Sequence, residues 1–189
     1  MDKIVRWQDW NGAGLEHCVC RETADGLLLE GTVAGTRGGL YGGHYLVRTD
    51  SRFATRELRV SYAGGAELYV ETDGTGHWHD RLTGRALPGL EGCLDVDIGM
   101  TPATNMLPIR RLGLAAGESR EIVVGYVPLP HQIDGAFLPS RAEQRYTCLT
   151  PGQSYRYEGL FRGFTAVLEV DEAGLVLDYP ETFRRVATS

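Results

Sequence analysis

Short segments of alternating polar and apolar residues recur along the chain, separated by glycine-containing turns. Leu58, Val60 and Tyr62 alternate with polar residues, and the pattern resumes at Leu68 and Val70 after a Gly-Gly turn, which is typical of a β-hairpin. Further segments of this kind are 27–33, 43–49, 92–98, 121–128, 144–149, 154–160, 164–170 and 175–179. Because successive side chains of a strand point to opposite faces, these segments predict a mainly β fold with a many-stranded, antiparallel-rich sheet.

Helical periodicity is missing almost everywhere, and one short stretch stands out. Thr101 is a suitable N-cap and Pro102 suits the first helical position. Pro108 disfavours a helical conformation at the residue before it, which predicts a helix that ends at Leu107. A longer helix that ends near Leu112 requires that Pro108 be tolerated. The sequence therefore predicts a single short helix among many strands.

Composition and charge exclude several classes of protein. The 189 residues carry a net charge of -6, which disfavours binding to nucleic acid. Neither an apolar run long enough to span a bilayer nor a secretory leader is evident, so we predict one soluble, cytoplasmic domain over residues 1–189. Lys3 is the single lysine, which argues against lysine-based covalent catalysis. The four cysteines form no CxxC pair, and we predict buried, reduced thiols and no metal or cofactor.

Two carboxylates and two arginines form the strongest local signal. Asp95 and Asp97 occupy alternate positions of one predicted strand and therefore share a face. They could act as an acid/base pair, hold a hard cation, contact a ligand, or pair with Arg110 and Arg111 further along the chain. Structural ion pairs are the favoured interpretation, and a ligand contact is the next.

Three more residues are candidates for ligand contacts. Asn105, in the predicted helix, could hydrogen-bond a sugar or bridge neighbouring backbone segments. His77 and His79 flank Trp78 in a segment with strand-like alternation, where the indole could pack on a sugar ring or lie in the core. Two histidines at this spacing are a weak zinc signal without a third ligand.

The glycine-rich stretch 35–43 and the serines lack enzyme signatures. The stretch has neither the Gly-Lys-Ser/Thr ending of a phosphate-binding loop nor a GxGxxG register between strand and helix. No GxSxG elbow occurs. We therefore assign no catalytic residue from sequence motifs.

Residues 92–112 and stretches near both ends of the chain resemble one known family. The central stretch contains Gly92-Cys93-Leu94-Asp95-Val96-Asp97, Thr101-Pro102, Thr104-Asn105 and Leu107-Pro108-Ile109-Arg110-Arg111-Leu112. The supporting stretches are Trp7 with Gly14-Leu15-Glu16, Gly76 with Trp78, and 174–180 with Phe183 and Arg184. Together they are similar to the pattern of the bacterial putative glycolipid-binding family. That resemblance implies a spiral β-roll wrapped around one helix, a homodimer, and no catalytic residues that can be carried over.

Three functions are compatible with these observations. The first is non-catalytic binding of an amphiphile such as a glycolipid, with the acyl chain inside the roll. Its polar rim would contain Asp95, Asp97, Asn105, Arg110, Arg111, His77 and Trp78. The second is an enzyme acting on a sugar or carboxylate through Asp95 or Asp97 with Arg110 or Arg111 as anion clamp. The third is a dimeric scaffold without a small ligand.

Overall fold

In the computed structural model, which describes residues 2–161 and 163–186, β-strands dominate. The strands are β1 (Asp2–Asp9), β2 (Leu15–Thr23), β3 (Gly26–Gly35), β4 (Tyr41–Thr49), β5 (Thr55–Tyr62), β6 (Glu67–Thr72), β7 (Trp78–Asp80), β8 (Asp95–Ile98), β9 (Ser119–Val127), β10 (Ser140–Thr150), β11 (Ser154–Gly159), β12 (Phe164–Glu169), β13 (Asp178–Tyr179) and β14 (Phe183–Val186). One α-helix, α1 (Met106–Leu112), occurs within the described residues. The prediction of a mainly β fold with a single short helix is confirmed.

The strands form two sheets. Nine strands pair antiparallel in the order β13-β14-β1-β2-β3-β4-β5-β6-β7, so β14 closes onto β1 from the far end of the chain. The second sheet has the order β12-β11-β10-β9-β8, in which β8 and β9 are parallel and the other pairs antiparallel. A parallel pair requires a long crossover, and the segment that contains α1 supplies it.

The alternation seen in the sequence determines which side chains enter the core. Leu58 and Val60 of β5 are buried, and the intervening Arg59 is exposed. The predicted hairpin is confirmed, because β5 pairs with β6 and the amide of Tyr62 donates to the carbonyl of Ala66 across the turn.

Two predicted strands are shorter than expected. Of residues 92–98 only β8 is a strand. The residues before it form a turn instead, because Gly92 has a left-handed φ of 80° and the amide of Cys93 donates to the carbonyl of Leu90. Of residues 175–179 only β13 is a strand, and Val176 makes an isolated bridge to Val170 after the tight turn at Gly174.

The helical segment begins at Ala103, one residue after the predicted start, and it also ends later than predicted. The hydroxyl of Thr101 accepts the amide of Ala103, where a 3-10 turn precedes α1. Pro108 lies in the first turn of α1, where backbone amides have no partner within the helix, so it does not break the helix. The prediction that the helix ends at Leu107 is therefore wrong, and the longer alternative is right. Gly113, with a φ of 55°, ends the helix in the left-handed conformation.

This helical segment fills the space inside the nine-stranded sheet. Met100, Ala103, Met106 and Leu107 have no exposed surface, and they belong to one apolar cluster with the inward residues of that sheet. The indole of Trp7, which is also fully buried in this cluster, donates to the carbonyl of Val176 at 2.8 Å. The expected enclosure of one short helix by a many-stranded sheet is thus observed. Within the described residues, the helices are too short to cross a bilayer.

Replacing Leu107 by Ala should lower the free energy of unfolding by about 2–5 kcal/mol, because it leaves a cavity where no surface is exposed. Replacing Leu40, which is 91% exposed, by Ala should change it by less than about 0.5 kcal/mol. Urea denaturation followed by circular dichroism measures both. Because we predict one domain over residues 1–189, we expect one cooperative transition. Equal effects of the two substitutions would contradict the enclosed position of Leu107.

Candidate functional site

A cavity of about 310 Å³ lies where the two sheets meet. Strands β8, β9, β11 and β12 of the five-stranded sheet line one side, and β13 and β14 of the nine-stranded sheet line the other. The lining residues are Tyr126, Tyr157, Phe161, Phe164, Tyr179, Phe183, Arg37, Asp97, Thr101, Asn105, Thr182, Ile98, Gly99 and Gly159. Phe161 is 44% exposed, so the cavity reaches solvent beside the β11–β12 turn.

Aromatic rings form a continuous wall of this cavity. Tyr179 stands between Tyr157 and Phe164 at centroid distances of 5.9 and 5.8 Å, and Phe183 follows at 6.4 Å. These separations are those of edge-to-face and tilted ring pairs, which are mutually stabilising. Burial raises the pKa of the Tyr179 hydroxyl well above its usual range, so this wall carries no negative charge near neutral pH.

Charged and amide groups stand beside the aromatic wall. The carboxylate of Asp97 accepts a hydrogen bond of 2.7 Å from the buried amide of Gln144. Arg37 donates to the carbonyl of Gly99 at 2.7 Å, and its guanidinium lies 4.8 Å from the ring centre of Phe183. The cavity therefore combines aromatic faces with an acceptor and a cation whose positions are fixed by neighbouring groups.

Asn105 lines the same cavity and also joins two parts of the fold. Its carbonyl accepts the hydroxyl of Tyr146 at 2.8 Å, and its amide donates to the carbonyl of Pro102 at 3.1 Å. The predicted bridge is therefore observed, and the contact of Asn105 with a ligand stays a prediction.

A buried acid supports the cavity from the nine-stranded sheet. The Glu16 carboxyl, 2% exposed, accepts hydrogen bonds of 2.6 Å from Thr101 and Tyr45 on one oxygen. Its other oxygen has no hydrogen-bond partner among the described residues. Burial raises the pKa of Glu16 to about 8; the two hydrogen bonds oppose this shift and nearby Asp9 adds to it. Glu16 is therefore mostly protonated at neutral pH.

The four residues of the strongest sequence signal separate in the structure. Asp95 is fully buried and accepts a bidentate hydrogen bond from Arg111; burial raises the pKa of Asp95, and Arg111 opposes that rise. Arg110 instead pairs with Glu22. Of the two carboxylates only Asp97 lines the aromatic cavity, and neither arginine does.

The His77–Trp78 pair lies outside this cavity. Trp78 is 2% exposed in the main core, where its indole donates to the carbonyl of Cys93 at 2.9 Å. His77 is exposed just before β7 and its imidazole contacts Asp73 at 2.7 Å. No group of three or more potential metal-binding side chains occurs in the part of the chain that the structure describes.

Most lining residues were not predicted from the sequence. Tyr157, Phe164, Tyr179 and Phe183 come from four different strands, so no local motif contains them. Arg37 lies in the glycine-rich stretch 35–43, in which the sequence showed no functional motif. A usable signal was the set of aromatic residues in the last third of the chain.

Two glycines keep this space open. A side-chain carbon at Gly99 would lie 2.9 Å from the hydroxyl oxygen of Tyr126, and one at Gly159 would lie 3.1 Å from that of Tyr157. Larger residues at either position would crowd the lining tyrosines.

These features define a mainly β protein with two sheets, a helical segment in its core, and an aromatic cavity at the junction of the sheets. The chain belongs to the family described as "Putative glycolipid-binding", whose model matches residues 4–185. It is similar to the crystal structure of a DUF1089 family protein from Pseudomonas aeruginosa, with 39% identity, a TM-score of 0.75 and 92% of each chain covered. A search of curated proteins gave no match to this chain.

Replacing Glu16 by Gln should remove a pH dependence of stability. The folded-state pKa of Glu16 is raised from 4.5 to about 8. The contribution of its protonated carboxyl to the free energy of unfolding is therefore fully present below pH 4.5 and is lost as the pH rises through 8. Gln keeps a carbonyl acceptor for Thr101 and Tyr45 but cannot ionise. Between pH 5 and pH 9 the free energy of unfolding of the unsubstituted protein should therefore fall, relative to that of Glu16→Gln, by on the order of a few kcal/mol.

Urea midpoints at pH 5, 7 and 9 measure this difference, and exposed Glu67→Gln is the control. A constant difference between the protein and its Glu16→Gln variant across this range would show that Glu16 titrates normally.

Proposed function

We propose that the protein is a non-catalytic binding protein for an amphiphile whose sugar headgroup occupies the aromatic cavity. The observation that carries the proposal is one cavity that combines four clustered aromatic rings with Asp97 and Arg37. The family name supports a glycolipid as the class of ligand.

The chemistry of the lining fits a sugar better than an alkyl chain alone. Aromatic rings offer large, rigid apolar area to the C–H faces of a sugar ring. Asp97 can accept hydrogen bonds from sugar hydroxyls, and Arg37 can donate to sugar oxygens. In a largely buried site such hydrogen bonds give orientation and specificity, because a ligand that cannot make them leaves polar groups unpaired.

From the sequence, the alkyl chain of the ligand was expected inside the roll, and we now propose a different place for it. Met106 and Leu107 fill the interior of the nine-stranded sheet, so an acyl chain does not lie there. A volume of about 310 Å³ is at the lower end of the range for small-molecule sites, which suits a headgroup. We propose that the alkyl chain leaves the cavity beside Phe161.

A binding role is preferred to catalysis because the paired-carboxylate arrangement is not assembled in the cavity. Asp95 is buried in its pair with Arg111, which leaves Asp97 as the one carboxylate that lines the aromatic cavity among the described residues. The enzyme alternative would need Asp97 to act with Arg37 in place of Arg110 or Arg111.

We also propose a cytoplasmic homodimer. The dimer rests on the family resemblance, and the location is supported by four buried cysteines that are free thiols. Native mass spectrometry of protein purified from its own host distinguishes one from two chains of 20.8 kDa. Solvent extraction of the same sample identifies any amphiphile that co-purifies.

Titration with octyl β-glucoside below its micellar concentration tests the sugar-binding proposal. Saturable binding is expected, and it should be weaker for octyl phosphocholine, which has the same alkyl chain without a sugar. Tyr179→Leu removes the central ring of the aromatic wall and should weaken binding about tenfold, equivalent to about 1.4 kcal/mol. Isothermal titration calorimetry measures each dissociation constant.

Tyr69→Leu is the matched control, because Tyr69 is also half-buried but does not line the cavity. Equal affinity for both detergents, or equal effects of both tyrosine substitutions, would overturn the sugar site. Release of free glucose during the titration, detected by mass spectrometry, would support the enzyme alternative instead.

A further inference from the structure

A second, more open groove of about 650 Å³ shares no lining residue with the aromatic cavity. The β4–β5 turn forms one side through Arg52 and Phe53, and helix α1 forms another through Arg110 and Arg111. Three guanidinium groups therefore border one concave surface on a protein whose net charge is -6. Guanidinium groups that border one surface can offer several N–H donors to the same anion.

Arg110 is held in a fixed orientation. Its guanidinium carbon lies 4.3 Å from the ring centre of Phe53, and one terminal nitrogen pairs with Glu22. Phe53 has a φ of 63°, a conformation that costs free energy for a bulky aromatic residue. This conformation places the ring under Arg110, whose remaining N–H groups have no acceptor among the described residues.

Arg111 also lines this groove, and one of its terminal nitrogens is not used in a hydrogen bond among the described residues. Its Nε and one terminal nitrogen bind the buried carboxylate of Asp95, and its other terminal nitrogen has no acceptor in the described part of the chain. The buried pair fixes the orientation of the guanidinium group of Arg111, because the two hydrogen bonds of a bidentate pair hold both planar groups in one relative orientation.

Arg52 provides the least neutralised charge. Its side chain is 78% exposed, and it shares Asp50 with Arg56 at distances of 3.7 and 3.8 Å, too long for hydrogen bonds. Asp50 instead accepts the backbone amides of Arg52 and Ala54 in its own turn. The four arginines in and beside the groove thus face three carboxylates, those of Asp50, Glu22 and Asp95.

A fourth carboxylate lies on the loop that supplies Thr75 to the groove. Asp73 accepts hydrogen bonds from the hydroxyl of Thr75 and from His77 on that same loop. Asp73 therefore makes its hydrogen bonds within its own loop, and none to Arg52, Arg110 or Arg111 is found in the described part of the chain.

We propose that this groove is a second binding site, specific for a phosphate group. Guanidinium groups match the oxygen geometry of phosphate through paired N–H donors. Here two of the three donor groups are already oriented, one by Phe53 and one by Asp95, which lowers the entropy lost on binding. The phosphate belongs either to a small solute or to a lipid headgroup, and both present the same oxygens.

Inorganic phosphate is the first probe, in an NMR titration of the ¹⁵N-labelled protein that follows the Nε–H signals of arginine. Signals of Arg52, Arg110 and Arg111 should shift with saturation, and potassium chloride at equal ionic strength should not reproduce the shifts. Arg52→Ala and Arg110→Ala should each weaken phosphate binding about five- to tenfold, as expected for the loss of a charge-assisted hydrogen bond.

Arg59→Ala is the matched control, because Arg59 also lies over a ring, that of Tyr69 at 4.1 Å, and also pairs with a glutamate, Glu57. It should leave phosphate affinity unchanged. If Arg110→Ala fails to fold, the exposed Arg52→Ala variant decides. Shifts that chloride reproduces, no saturable shift, or equal weakening by Arg59→Ala would each overturn the site.

Vesicles distinguish the source of the phosphate. Co-sedimentation with phosphatidylglycerol vesicles that Arg52→Ala reduces would assign the site to a lipid headgroup. Binding of inorganic phosphate without co-sedimentation would assign it to a soluble ligand. Loss of phosphate binding together with intact octyl glucoside binding would separate this site from the aromatic cavity.

Discussion

The burial of a short helical segment between two sheets is the constraint on which the rest of the structure depends. Residues near this segment bring polar groups into an apolar interior, where each unpaired group costs free energy. Three pairs offset most of this cost, Thr101 with Glu16, Asn105 with Tyr146, and Asp95 with Arg111, and one oxygen of Glu16 stays without a partner among the described residues. Each pair joins a polar group in or beside the segment to a partner that the chain supplies elsewhere.

The same burial determines where a ligand can bind. A sheet wrapped around an empty centre could hold an acyl chain, but Met106 and Leu107 occupy that centre. Unfilled space is left at the edges of the packing, where the last strands of one sheet meet the other sheet and where α1 meets the β4–β5 turn. Aromatic rings line the first space and three arginines line the second, so the two surfaces differ in chemistry.

Local patterns were sufficient for most of the fold. The alternation at Leu58 and Val60 indicated one buried face, and the adjoining Gly-Gly turn indicated the hairpin. The end of the helix was missed because the rule for Pro108 depends on its place within the helix, and only the coordinates show that it lies in the first turn.

The site was much less accessible to sequence reasoning. Asp97 and Asn105 were found because they lie in one local stretch, and the same stretch misleadingly grouped them with Asp95 and Arg111. Arg37 and Phe183 are far apart in the chain and come within 4.8 Å only after the sheet forms. A site formed by residues so far apart in the chain has no fixed sequence spacing by which it could be recognised.

The pairing of β14 with β1 has a consequence for how the protein is made. Most of the other strands lie between β1 and its outer neighbour β14 in the sequence, so β14 is translated long after β1. Until then β1 exposes an unpaired edge, and contacts between segments so distant in sequence form slowly. Phe183 lies on that late strand, so a nascent chain can build most of its core before it can complete the aromatic cavity. The aromatic cavity therefore takes shape only after the strand that carries Phe183 has been translated.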